Sequence, residues 1–189
     1  MLRYIIKQMS NMHKKEKIIV SIIFLFLGIF IRLLPHPWNF SPVLAIALFS
    51  GVYLGKSYAV SLPILIMLLS DIFLGLYDWK LMVSVYASVL LSAFVGIWLK
   101  NHKRWYTTLG SSLFCSILFF LVTNFAVWAF TSWYPESFSG ITQCYLMAIP
   151  FFRNSLLGDL FYVTTVFGAY EIAAKLAKER KLALSMRKF

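Results

Sequence analysis

The sequence predicts an all-α membrane protein, a bundle of six transmembrane helices with both termini cytoplasmic. Three observations predict it. Of its 189 residues, 60% are hydrophobic and only 13% are charged, where a soluble domain is nearer to about 25% charged. The apolar residues fall in long blocks, and a block of about 20 is what a helix needs to cross a hydrocarbon core of roughly 30 Å. The 18 Lys and Arg, against 7 Asp and Glu, gather at the chain ends and in alternate loops, where they set topology. These features exclude a disordered tail, a disulfide scaffold and an ordinary cytosolic enzyme. They also assign the net charge of +11 to a membrane surface and not to nucleic acid.

The elements follow in order. Residues 1–17 form a basic cytoplasmic segment holding Arg3, Lys7, Lys14, Lys15 and Lys17. The apolar run 18–34 is too long for a signal-peptide core, and no small-x-small cleavage site follows it, so it reads as a retained first span. In the loop 32–42, Pro35, Pro37, Pro42 and Asn39 cannot continue a helix cleanly. This loop reads as a semi-rigid external flap presenting His36, Trp38 and Asn39. Span two, 43–55, is short. Lys56 marks a tight turn, and span three, 57–76, carries Pro63 and Asp71. After a turn at 77–80 come span four at 81–99, a basic loop at 100–105, and span five at 106–130 with Asn124. A polar loop at 131–145 leads to span six, from about 148 to 174, with Pro150 near its start. The transmembrane domain is thus 18–174, and residues 175–189 form a basic cytoplasmic tail. With both ends inside, fifteen of the 18 Lys and Arg lie on the cytoplasmic side, only Arg32 and Lys80 lie in outside loops, and Arg153 sits near the outer end of span six.

Small residues at four-residue spacing let membrane helices approach closely. Span four has Ser84, Ser88, Ser92 and Gly96; span two has Ala47, Gly51 and Gly55; span six has Ala169, Ala173 and Ala177. Each stripe serves either internal packing or the docking of another membrane subunit.

Ionisable and amide groups in apolar spans are expensive and need partners. The alternation of the spans puts Asp71, Asn124, Arg153, Asn154 and Asp159 in the outer half of the bundle. The flap brings Arg32, His36, Trp38 and Asn39 to a similar depth, and Trp128 joins them from span five. An aromatic-lined polar pocket of this kind suits a small solute with a flat ring and polar edges. Arg153 is expected to pair with Asp71 or Asp159 when that pocket is empty, because an unpaired charge there is costly. The alternative is that such a pair is a structural lock and that the tryptophans form an ordinary interfacial belt.

The sequence offers no catalytic set. The three histidines, His13, His36 and His102, lie outside the spans, and no His-Glu-x-x-His motif or Gly-x-x-x-x-Gly-Lys-Ser/Thr loop occurs. No metal or cofactor site is expected. Cys115 reads as packing within span five, and Cys144 as a loop cysteine that could be free; spacing gives no disulfide between them.

Four stretches resemble a bacterial membrane-protein family described as transport proteins. They are Pro37-Trp-Asn-Phe-Ser-Pro-Val-Leu-Ala-Ile-Ala-Leu-Phe-Ser-Gly51, Pro63 with Ser70-Asp71 and Gly75-Leu-Tyr77, Thr123-Asn-Phe-Ala-Val-Trp128, and Ala148 to Phe161. The run Pro-Phe-Phe-Arg-Asn-x-Leu-Leu-Gly-Asp, residues 150–159, is the most specific part. That family is similar, more distantly, to the substrate-binding S components of energy-coupling factor (ECF) vitamin transporters. The resemblance implies six helices, cytoplasmic termini and an outward solute pocket capped by the loop after the first helix. It also implies an energising membrane subunit with ATPases as a partner. Span one departs from the expected small-x-x-x-small docking motif, with only Ser21 and Gly28 small. The reading is therefore a solute-uptake protein of the bacterial inner membrane, not an enzyme, that binds a vitamin-like molecule. Its rival is a membrane scaffold or assembly subunit whose small-residue faces bind partners.

Overall fold

A computed structural model describes residues 14–186. Arg3, Lys7, Arg187 and Lys188 of the two basic ends lie outside the described residues. Six helices follow one another, with no strand among the described residues: α1 (Lys14–Leu33), α2 (Val43–Phe49), α3 (Lys56–Leu74), α4 (Trp79–His102), α5 (Trp105–Phe130) and α6 (Phe138–Met186). α2 is prolonged by a π-helical turn, Ser50–Leu54. Four helices are long and apolar enough to cross a membrane: α3, α4, α5 and the part Phe138–Ala177 of α6. α1 has the length but is bracketed by Lys14, Lys15, Glu16 and Lys17 at one end and Arg32 at the other. α2 with its π turn is a shorter apolar helix.

Local chemistry sets the boundaries. Asp78 caps α4, its Oδ1 accepting from the backbone N–H of Lys80 at 2.8 Å and of Leu81 at 3.3 Å, which satisfies donors that the first turn leaves orphaned. Gly55 (φ 112°) and Gly75 (φ 101°) end α2 and α3 in a backbone region that only glycine enters cheaply. Pro63 and Pro150 lie inside helices, and each removes one backbone donor there.

The start of α6 differs from expectation. The polar loop is only 131–137, and the helix begins at Phe138. Ser137 acts as the stop signal for the loop: its Oγ accepts from Gly140 N at 3.2 Å and its carbonyl from Ile141 N at 3.0 Å. Ser139, Thr142 and Gln143 form the exposed side of these first turns, while Gly140 and Cys144 are buried. Cys144 is therefore a helix residue and not a loop residue. Its thiol lies 3.4 Å from the carbonyl of Asn124 on α5, and it and Cys115 are free thiols.

The core is built on α2, which touches all five other helices and is buried along its whole length. Phe49 is its hub, with ring centroids 5.0 Å from Phe24, 5.4 Å from Phe167 and 5.2 Å from Tyr170. Gly51 meets Gly96 of α4 so closely that a Cβ on Gly51 would stand 2.5 Å from Ile97 N and 2.8 Å from Gly96 Cα. Ala47, Ala59 and Ala93 pack together beside this contact. The small-residue stripes of spans two and four are thus used on each other, as internal packing. Ala169, Ala173 and Ala177 of α6 are exposed.

Candidate functional site

Three polar clusters lie along the bundle. The first joins α1, α3 and α4. Arg32, in the last turn of α1, donates Nε–H to Ser70 Oγ at 2.7 Å and Nη2–H to Asp71 Oδ1 at 2.5 Å, and its Nη1 lies 2.9 Å from Met67 Sδ. Tyr86 of α4 donates its hydroxyl to Asp71 Oδ2 at 2.8 Å. Asp71 is 2% exposed and Arg32 17%. Both carboxylate oxygens are therefore satisfied, one of them by a charge-assisted bond. Tyr77, in the turn between α3 and α4, stands close by. Burial, and then the Asp71 carboxylate, push its phenol up to about 12, against the lowering effect of Arg32.

The pairing differs from the one expected, since Arg32 takes the place assigned to Arg153. Arg153 is exposed on α6 and forms no ion pair among the described residues. Helix geometry gives the reason. Six residues at 3.6 per turn put Arg153 about 120° round α6 from Asp159. Ile149 and Leu157, one turn to either side of Arg153, are exposed, whereas Ser155, Asp159 and Val163 are buried. α1 in turn reaches α3 because its two buried residues, Ser21 and Gly28, are small, and Gly28 sits directly on Ile66.

The second cluster joins α5 and α6. Asp159 is buried, and Ser116 Oγ lies 2.6 Å from its Oδ2. Cys115 is next to this contact, and its thiol meets Ser92 of α4. The third cluster is at the opposite end of the bundle from Arg32. Lys103 pairs with Glu171 and donates to Tyr53 OH, and Tyr53 OH lies 3.2 Å from Glu171 Oε1. The Lys103 ammonium also sits 4.6 Å from the centroid of the Tyr53 ring.

The other expected site residues do not converge. Asn124 donates to Phe120 O in its own helix at 2.8 Å. Trp128 Nε1–H bonds Pro135 O at 3.0 Å, tying α5 to the following turn. Trp38 is 76% exposed, with one edge contact to Phe151 at 6.3 Å. Asn39 is exposed at φ 62°, and Asn154 is half-buried. A groove of about 410 Å³ between α5 and α6 is lined by Phe120, Ile141, Thr142, Tyr145, Leu146 and Ile149. It is apolar and includes none of the expected site residues. Among the described residues no three of His, Cys, Asp and Glu stand together as a metal set.

Sequence reasoning places Arg32 near the depth of Asp71 without pairing the two, and it misses Ser70 and Tyr86 around Asp71 and Ser116 beside Asp159. Ser70 is adjacent to a residue that the sequence singles out. Ser112 and Ser116, four apart in a strongly apolar helix, form a visible polar stripe.

A model of a family of unknown function, DUF6580, matches residues 12–182, and the chain belongs to that family. No curated protein and no solved structure matches the chain.

Proposed function

We propose that this DUF6580 member is a membrane solute-uptake protein that binds a small, vitamin-like organic molecule, similar in design to the S component of an ECF transporter. One observation carries the reading. Three polar clusters succeed one another along the bundle, from Arg32–Asp71 through Ser116–Asp159 to Tyr53–Lys103–Glu171. Ionisable groups inside membrane helices are costly, and they are kept where solutes or ions pass. In this reading the chain passes the bacterial inner membrane six times, the short α2 completing its pass inside the bundle together with the flap before it, and the charge asymmetry holds both termini in the cytoplasm. The solute enters at the Arg32–Asp71 end beneath the flap bearing Trp38 and Asn39. There the planar fork of Arg32 suits a carboxylate better than an ammonium would. Uptake is driven by an energising membrane subunit with ATPases, or by the protein alone.

A second reading, a non-transporting scaffold, is favoured by one observation: Asp71 is already saturated by Arg32 and Tyr86, as in a structural lock. Native mass spectrometry of gently purified protein separates the two. A co-purifying small organic molecule, lost in Asp71→Asn, supports uptake. A bare protein, or one retaining only a partner subunit, supports the scaffold.

The topology has its own test. Reporter fusions at Lys188 and within residues 135–137 are expected to report opposite sides of the membrane. The same side for both would overturn the six-span arrangement.

A further inference from the structure

We propose that Asp159 is a proton-binding site inside the bundle, held as the carboxylic acid and donating its proton to Ser116 Oγ. Hydrogen counting points there first. The Ser116 hydroxyl has one hydrogen but two oxygens within reach, Ser112 O at 2.9 Å and Asp159 Oδ2 at 2.6 Å. Both contacts are full hydrogen bonds when Ser116 donates to Ser112 O and the second proton belongs to Asp159.

The environment points the same way. Asp159 is 5% exposed, and among the described residues Ser116 is its one hydrogen-bond partner and it has no cation. Asp71 is the internal contrast: a carboxylate buried as deeply, but met by a guanidinium and a phenol. A buried anion with a single neutral donor is strongly disfavoured against its neutral acid. Among the described residues no ion pair supplies Asp159 with a compensating charge. α5 presents Cys115, with Ser92 of α4 behind it. The titratable group of α2, Tyr53, is engaged with Glu171, twelve residues further along α6. Arg153 is on the exposed side of α6. One turn along α5, Ser112 Oγ is buried with no hydrogen-bond partner, and it is the next oxygen on that face able to take up or pass on a proton.

If the chain moves a solute, this site gives it a proton gradient as a driving force. That coupling rests on the uptake reading, whereas the proton site does not.

Infrared difference spectroscopy of the whole protein in lipid nanodiscs at pH 7 tests the site. The wild type is expected to show a carboxylic-acid C=O band that shifts in D2O. Asp159→Asn should remove the band while keeping a donor to Ser116 and hence the fold, checked by circular dichroism. Ser116→Ala should move the band to higher frequency, a readout that survives if the Asn variant fails to fold. A spectrum with only carboxylate bands from Asp159, with or without dependence on added sodium, would overturn the proposal. A missing co-purified solute would count against uptake and leave this result unaffected.

Discussion

Arg32→Ala is expected to destabilise the bundle by about 3–5 kcal/mol, the usual cost of removing one partner of a buried ion pair. The magnitude identifies the cause. Interhelical hydrogen bonds in membranes average only about 0.6 kcal/mol each, so losing the bonds to Ser70 and Asp71 would not reach that figure. What remains would: Asp71, 2% exposed, would lose its cation, and either bearing the charge beside Tyr86 alone or taking up a proton costs stability. Arg32→Lys keeps the charge but not the fork that reaches Ser70, Met67 and Asp71 together, so it should fall between. The double variant Arg32→Met/Asp71→Leu removes the charge with its partner and should recover most of the loss. Denaturant unfolding in micelles measures all three. An Arg32→Ala protein within about 0.5 kcal/mol of wild type, the range of a neutral surface change, would show that the pair does not hold α1 to α3.

The second large effect is expected at Gly51. A methyl group there meets backbone atoms, Ile97 N and Gly96 Cα, and not the end of a flexible side chain. Gly96 has the reciprocal constraint, since its Cβ would stand 2.7 Å from Leu48 O. Relief therefore requires α2 and α4 to separate, which would disturb the packing of every helix that α2 touches. Overpacking typically costs about 1–3 kcal/mol, and Gly51→Ala should lie at or above the upper end. Gly110→Ala in α5 is the matched control. Nothing lies within 4 Å of its added Cβ, and replacing an unstrained helical glycine should stabilise by roughly 0.4–1 kcal/mol. Thermal unfolding in one detergent should give opposite signs for the two variants. Equal effects would mean that the α2–α4 contact does not limit stability.

Much of the fold is legible in the sequence because it depends on local chemistry. The apolar blocks, the prolines after α1, Asp78 before α4 and the glycines at 55 and 75 each act within a few residues. The start of α6 is easily misjudged because Ser139, Thr142 and Gln143 look like a loop when their composition is read alone. Their spacing against Gly140 and Cys144 is that of a helix with one exposed side and one buried side. For the site, depth is a poor substitute for azimuth. Arg153 and Asp159 are about 9 Å apart along α6, within reach of a long side chain, but the helical angle between them follows from their spacing in the chain and points them apart. No such spacing rule links Arg32 to Asp71, since that pair depends on which helix packs beside α3. The sequence names the charged groups, but only the packing of α1 against α3 pairs them.

The length of α2 bears on how the chain enters a bilayer. Twelve residues, Val43–Leu54, rise about 18 Å as a helix, well short of the roughly 30 Å of hydrocarbon. Left alone among lipid tails, such a segment would leave backbone N–H and C=O groups at its ends without partners. It is sheltered only because five other helices surround it, and four of those are translated after it. Biogenesis of this protein therefore cannot proceed as a simple series of independently stable insertions. α2, joined through Gly55 to α3, packs mainly on α3 and α4 and has its enclosure completed by α5 and α6. A ribosome stalled before α6 would hold an intermediate in which Phe49, the hub of the central helix, still lacks its ring contacts with Phe167 and Tyr170.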